Sequence, residues 1–158
     1  MLISYSVSHA PTQAELTAVD QQLGQFNSDH GAMNDVQSLG VFAEVAAGQV
    51  VGGAVGRTWG QCCELQQLAV APEHRRQGVG ERLLQHFEKA AATRGCTLVY
   101  LDTFSFQAPD FYRRCGYHVA FETRGFAEYQ FAHKDHLQAR GIESRFNCQE
   151  FLDSSTGG

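Results

Sequence analysis

The chain has 158 residues, 43% of them apolar and 18% charged, the make-up of one soluble globular domain rather than of a fibrous or low-complexity segment. Twelve Lys and Arg against seventeen Asp and Glu leave a net charge of −5, which argues against a general nucleic-acid surface. No apolar run approaches the roughly 18 residues of a membrane span. The start lacks the basic and apolar regions of a secretory leader, and five cysteines without a CxxC pattern suit reduced thiols in the cytoplasm.

In chain order, Leu2–Ser8 alternates apolar and polar residues and predicts a first strand. Pro11 opens a helix over residues 11–27, with Leu16, Val19, Leu23 and Phe26 at helical spacing. Residues 28–38 read as a loop. Val41–Ala47 and Val50–Trp59 predict two strands joined by a turn at Gly48, the second carrying Gly52, Gly53 and Gly56. Cys62–Val70 predicts a third. From Val79 to Thr93 the period becomes 3.6, with Leu83, Leu84, Phe87, Ala90 and Ala91 on one face and Gly95 as the cap. Thr97–Leu101 is apolar, and strand, helix, strand in this order predicts a βαβ unit. A short helix at Pro109–Cys115 ends at Gly116, and Tyr117–Phe121 with Ala127–Ala132 predicts a final hairpin. One domain is expected over residues 1–137. Residues 138–158 read as an extension with a disordered end, Asp153-Ser154-Ser155-Thr156-Gly157-Gly158.

The segment Val70-Ala71-Pro72-Glu73-His74-Arg75-Arg76-Gln77-Gly78-Val79-Gly80 joins a strand to the long helix. Gly78 and Gly80 allow close backbone approach, the first helical N–H groups lack partners inside the helix, and Arg75 and Arg76 add charge. Such a turn can hold a phosphate, or it can be a plain solvated helix start. No Lys follows either glycine, which excludes a Walker-type loop. Leu83 stands where a dinucleotide fingerprint needs Gly or Ala. His133 and His136, three apart on a helix face, could bind a metal. No third ligand at suitable spacing accompanies them, so no metal is expected. Adjacent Cys62 and Cys63 read as packing residues.

Two motifs carry a resemblance. Arg75-x-x-Gly78-x-Gly80, preceded by Leu68-Ala69-Val70-x-Pro72, resembles the acyl-CoA-binding motif of the GNAT N-acetyltransferase superfamily. Phe111-Tyr112-Arg113-Arg114-Cys115-Gly116-Tyr117 is similar to a second signature of that superfamily. The stretch Thr103–Tyr112 resembles a bacterial subgroup of acetyltransferases with mostly undefined substrates. The resemblance is specific over residues 62–121 and extends over 2–137. It implies an α/β fold, with a mixed, mostly antiparallel seven-stranded sheet splayed between strands 62–70 and 97–103 and flanked by about four helices. It also implies acetyl transfer from acetyl-CoA to a primary amine, in a ternary complex without an acyl-enzyme, so Cys115 is read as structural.

On this resemblance, the backbone of Gln77, Gly78, Val79 and Gly80, with Arg75 and Arg76, would hold the pyrophosphate, and Leu68, Ala69 and Val70 would pair with the pantetheine. Ser105 stands where many members carry an Asn that touches the coenzyme. Tyr112 is the expected acid toward the departing thiolate. Glu64 is the expected base, directly or through water: it sits six residues before Val70, where some histone-type members of the superfamily keep their catalytic glutamate, while Gln66 stands where many small-molecule members carry an acid. Phe26, Asp29, His30, Trp59, Glu122 and Tyr129 are acceptor-pocket candidates, since aromatic and acidic groups together suit an amine with an apolar body. The expected partner is a small-molecule amine, with no nucleic acid and no membrane, and with room for a homodimer. The alternatives are a non-catalytic acyl-CoA-binding module and an enzyme that acetylates a protein lysine or N-terminus.

Overall fold

A strand exists only where a neighbour takes up its N–H and C=O groups, and this requirement decides which apolar stretches of the chain become sheet. A computed structural model describes residues 2–31, 34–46, 48–125 and 133–142, which fall into two compact units, Met1–Asn34 and Asp35–Gly158. In the first unit α1 spans Gln13–Asp29. Thr12 and Glu15 form a reciprocal capping box: Glu15 N–H donates to Thr12 Oγ1 at 3.2 Å, and Thr12 N–H donates to Glu15 Oε2 at 2.7 Å. The bonds from Thr12 hold the Glu15 carboxyl below its usual range. Leu2–Ser8 joins no ladder among the described residues, so the expected first strand does not form.

The second unit contains β1 (Gln37–Val45), β2 (Gln49–Trp59), β3 (Cys62–Val70), α2 (Val79–Thr93), β4 (Leu98–Phe104), α3 (Pro109–Arg114), β5 (His118–Arg124) and β6 (His133–Arg140). The sheet order is β1-β2-β3-β4-β6-β5. The described residues thus hold six strands and three α-helices, one of each fewer than expected. Every neighbouring pair is antiparallel except β3 and β4, which α2 connects as the predicted βαβ unit. No helix among the described residues is long and apolar enough to cross a membrane.

One face of the sheet carries the core. Helix α2 turns Leu83, Leu84, Phe87 and Ala91 onto it, where they meet Cys63, Leu65, Val99, Leu101 and Leu137. Each large side chain removed from water there contributes roughly 1.5–3 kcal/mol. Gly95, at φ 86°, lets the chain leave α2 in the left-handed region that its cap requires. The buried acid Glu88 accepts a 2.8 Å hydrogen bond from the Tyr117 hydroxyl, tying α2 to the chain beyond α3. The predicted hairpin strand at 127–132 and the tail from residue 143 lie outside the described residues. The partner of β5 is β6, and Ile142 beyond it is fully buried, so the expected boundary at residue 137 falls inside a core strand.

Strand β3 carries the feature that shapes everything near it. Its pairing with β2 shifts between Val55 and Gly56, leaving Gln66 as an extra residue between Leu65 and Gln67. Simple alternation places Glu64, Gln66 and Leu68 on one face. The bulge overturns this for Leu68, because one inserted residue reverses every side chain beyond it. Cys63 and Leu65 face the core, and after the bulge Leu68 and Val70 pack against it as well. Gly56 makes this geometry available: a Cβ there would sit 1.9 Å from the Glu64 carbonyl oxygen. Pairing of β3 with β4 covers only Cys62–Glu64 against Leu98–Tyr100, and beyond it the strands part as expected. Replacing Gly56 by Ala is expected to cost about 3 kcal/mol or more, since backbone cannot yield as a side-chain tip does. The shift of the urea midpoint measures this.

Candidate functional site

Beyond β3 the chain passes through a 3₁₀ turn at Pro72–His74 and enters α2. Arg76 at φ 58° and Gly78 at φ 76° both take the left-handed conformation. For the non-glycine Arg76 this costs roughly 1 kcal/mol or more. Arg75 Nε donates to the Val70 carbonyl at 2.8 Å, and Gln77 Nε2 to the Glu73 carbonyl at 3.0 Å, which fixes the turn to the strand end. Gly78, the N-cap of α2, offers no side chain to its first N–H groups. Those donors and the positive end of the helix dipole are therefore open to an anion.

Around the turn lies a cleft of about 660 Å³, lined by Leu68, Val70, Arg75, Arg76, Gly78, Val79, Gly80 and Glu81, and on the far side by Ala108, Phe111, Arg114 and Cys115. Three arginines against one glutamate suit a ligand with several negative charges. A Cβ on Gly80 would stand 3.6 Å from the Phe111 ring and 3.7 Å from Val70 Cγ2. Glycine at this position keeps the space between two cleft walls clear.

Behind Phe111, Tyr112 is buried, with its ring edge-on to Phe111 at 5.1 Å and to Tyr117 at 5.8 Å. Burial, and after it the neighbouring Cys115, pushes its phenol up to about 12. It therefore stays an O–H donor at neutral pH. Helix α3 is held from below: Arg113 Nη2 donates to Asp135 Oδ2 at 3.0 Å, and Asp135 is fully buried on β6.

The opposite face of the sheet has a different character. A cavity of about 290 Å³ lies in the gap between β3 and β4, lined by Glu64, Gln66, Tyr100, Asp102, Phe104, Gln107 and Lys134 among others. Glu64 Oε2 accepts from Arg57 Nε at 2.7 Å and from Gln66 Nε2 at 3.3 Å. The Arg57 guanidinium lies 5.0 Å over the Trp59 ring, which in turn meets Tyr100 edge-on at 6.1 Å. Burial, then the Glu64 charge, pushes the Tyr100 phenol up to about 12. Further along, Asp102 binds Lys134 Nζ at 2.8 Å and His136 Nδ1 at 2.5 Å. Thr123 Oγ1 lies 2.9 Å from His136 Nε2, and Phe121 stacks on the imidazole at 3.9 Å.

Of the residues expected to hold the coenzyme, Leu68, Val70, Arg75, Arg76, Gly78, Val79 and Gly80 line the cleft. Ala69 points to the other face of β3, Gln77 turns back to Glu73, and Ser105 sits in the turn after β4. Among the acceptor candidates, Trp59 joins the Arg57–Glu64 cluster. Glu122 does not: its register partner is the core-facing Asp135, which places it on the face away from Glu64. Phe26, Asp29 and His30 lie in the last turn of α1, where the Phe26 and His30 rings are 4.2 Å apart and Gln25 binds Asp29 at 2.7 Å. Tyr129 lies outside the described residues.

The helical placement imagined for His133 and His136 is a strand, in which residues three apart do not share a face. Asp102 and His136 escaped the sequence as a pair because their contact depends on β4–β6 pairing. The one signal was a lone acid closing the apolar run Leu98–Leu101.

The family model described as acetyltransferase (GNAT) matches residues 8–117. The chain belongs to this family. It is 36% identical over 90 residues to blasticidin-S acetyltransferase of Streptomyces morookaense, covering 54% of this chain and 66% of that protein. It is 28% identical over 118 residues to streptothricin acetyltransferase of Streptomyces lavendulae, covering 72% of this chain and 62% of that protein. Both alignments fall short of two thirds of the relative's own length. A solved acetyltransferase-type protein from Agrobacterium tumefaciens superposes with a TM-score of 0.78 at 25% identity, over 87% of this chain and 99% of its own. Acetyl-CoA is the acyl donor of the family. The arginine-rich cleft and bare helix start fit its phosphates, and the parting strands provide a slot for its thioester.

Gly80→Leu is expected to weaken coenzyme A binding about tenfold or more, or roughly 1.4 kcal/mol. Leu is also a better helix former than Gly, so the thermal midpoint should hold. Titration calorimetry and a melting curve on the same variant check both.

Proposed function

We propose that this protein transfers the acetyl group of acetyl-CoA to the primary amine of a small molecule, by direct attack within a ternary complex. The observation that carries the reading is the two-sided gap between β3 and β4. A cationic cleft opens on the α2 face, and a cavity with acidic and aromatic walls opens on the other. Two relatives named for small acceptors, blasticidin-S and streptothricin, support a small molecule over a protein.

Acetyl-CoA supplies the activated acetyl group; the chain supplies position, charge and proton transfer. Arg75, Arg76 and Arg114, with the first N–H groups of α2, hold phosphate charge. The bulge at Gln66 takes main chain out of the ladder, which provides the kind of N–H donor that a developing oxyanion needs. Glu64 accepts a proton from the amine, with Arg57 and Gln66 fixing its carboxylate through Oε2. Tyr112 donates its O–H to the departing sulfur. Burial raises the Tyr112 phenol above the range of a thiol, so full transfer of its proton to the departing thiolate is uphill. Its contribution is therefore a hydrogen bond that stabilises the thiolate until solvent protonates it.

Thiol release from acetyl-CoA tests the reading against blasticidin S, streptothricin, simple alkylamines, and peptides with a free N-terminus or lysine. Turnover on a small amine is expected. Tight coenzyme binding without release on any amine would identify a non-catalytic binding module, and release on peptides alone would identify a protein acetyltransferase. Tyr112→Phe should lower kcat about 10²-fold while leaving the KM for acetyl-CoA unchanged.

A further inference from the structure

Most polar side chains around the gap cavity already have partners. Glu64 Oε2 accepts from Arg57 and Gln66, Gln107 Oε1 accepts from the Thr103 hydroxyl and the Phe104 N–H, and Asp102 pairs with Lys134. Tyr100 lines the same cavity and differs from them. Its hydroxyl makes no hydrogen bond among the described residues and is not sealed from solvent.

We infer that Tyr100 selects the acceptor: its phenol donates to an oxygen that the amine carries within a few bonds of the reacting nitrogen, as aminoacyl groups and amino ethers do. This rests on the reading of the chain as an amine acetyltransferase with its acceptor in the gap. The register brings the two contacts together. Glu64 and Tyr100 are partners on the last rung before β3 and β4 part, and both turn away from the core, which takes their neighbours Cys63, Leu65, Val99 and Leu101. Arg57 and Gln66 occupy Glu64 Oε2, which leaves Oε1 to the acceptor's ammonium. Neighbouring strands lie about 4.8 Å apart, so an acceptor seated on Glu64 carries its next few atoms past Tyr100.

Tyr100 is the donor in this contact. Burial, then the Glu64 charge, raises the phenol to about 12, so the proton stays on oxygen at neutral pH. The ring meets Trp59 edge-on at 6.1 Å, and the Arg57 guanidinium covers Trp59 in turn, which holds the hydroxyl in place. An acceptor that displaces water from the cavity strips the hydration of this O–H. An accepting oxygen restores the lost hydrogen bond, and a methylene in the same place leaves the donor unmatched. A site with such a donor discriminates between the two more sharply than a purely apolar pocket does.

The test compares 2-methoxyethylamine with butylamine on the full chain with acetyl-CoA. The two differ by an ether oxygen in place of a methylene, and an ether accepts hydrogen bonds but donates none. Tyr100→Phe keeps the ring against Trp59 and removes the hydroxyl alone. It should lower kcat/KM for the ether about tenfold more than for butylamine, while the KM for acetyl-CoA and the thermal midpoint hold. Each amine is compared with itself across the two enzymes, so their difference in basicity cancels. Where turnover is too slow to read, the inhibition constant against the fastest acceptor of the amine panel takes its place.

Equal losses on the two amines, or no loss on either, overturn the inference and leave the acetyltransferase reading standing. So does a wild-type chain that neither acetylates nor binds the ether. If Tyr100→Phe fails to fold, the wild-type inhibition constants decide, and no preference for the ether over butylamine overturns the inference. No thiol release by the wild-type chain on any amine overturns both.

Discussion

The parting of β3 from β4 depends on one steric allowance, the absence of a side chain at Gly56. With no Cβ to collide with the Glu64 carbonyl, β2 lets β3 take an extra residue at Gln66. The inserted residue turns Leu68 and Val70 toward α2, where they become a wall of the cationic cleft, while Glu64 stays on the opposite face. A regular ladder would carry β3 alongside β4 with no slot between them. Local loss of sheet hydrogen bonding here leaves a gap with a cavity on each side of the sheet.

The two faces divide the electrostatic work. On the α2 side, Arg75, Arg76 and Arg114 surround a helix start that has no capping side chain, so unsatisfied donors and positive charge coincide. On the other side each carboxylate has a basic partner: Glu64 has Arg57, and Asp102 has Lys134 and His136. The partners hold the carboxylates in place without removing their charge. Tyr112 of α3 sits buried in the core on the α2 face, its proton retained by desolvation and its ring in edge contact with Phe111 and Tyr117.

How much of this could be read from residues alone follows from how local each feature is. Helix α2 and strand β3 were legible to the residue, because period, capping glycine and turn chemistry all lie within a few positions. The left-handed turn into α2 at Gly78 was legible for the same reason. The glycines of β2 announced an irregularity, but which residue bulged depended on β3 opposite them. Leu2–Ser8 had the alternation of a strand but finds no partner strand among the described residues. The Asp102–His136 contact joins positions 34 apart in sequence, and its existence depends on β6 lying between β4 and β5, an order that no local pattern encodes. Glu122 was singled out for its acidity, and only the β5–β6 register shows that it lies on the face away from Glu64.

Asp135 and His136 are consecutive residues of β6, and they look in opposite directions. The first grips Arg113 of α3 from within the core; the second meets Asp102 on the outer face. Strand pleat permits no intermediate setting, so a slip of one position would expel a buried anion and drive an imidazole inward. The two halves of the molecule's chemistry are thus indexed to each other by a single peptide unit, and evolution can retune either half by substitution but cannot slide one past the other.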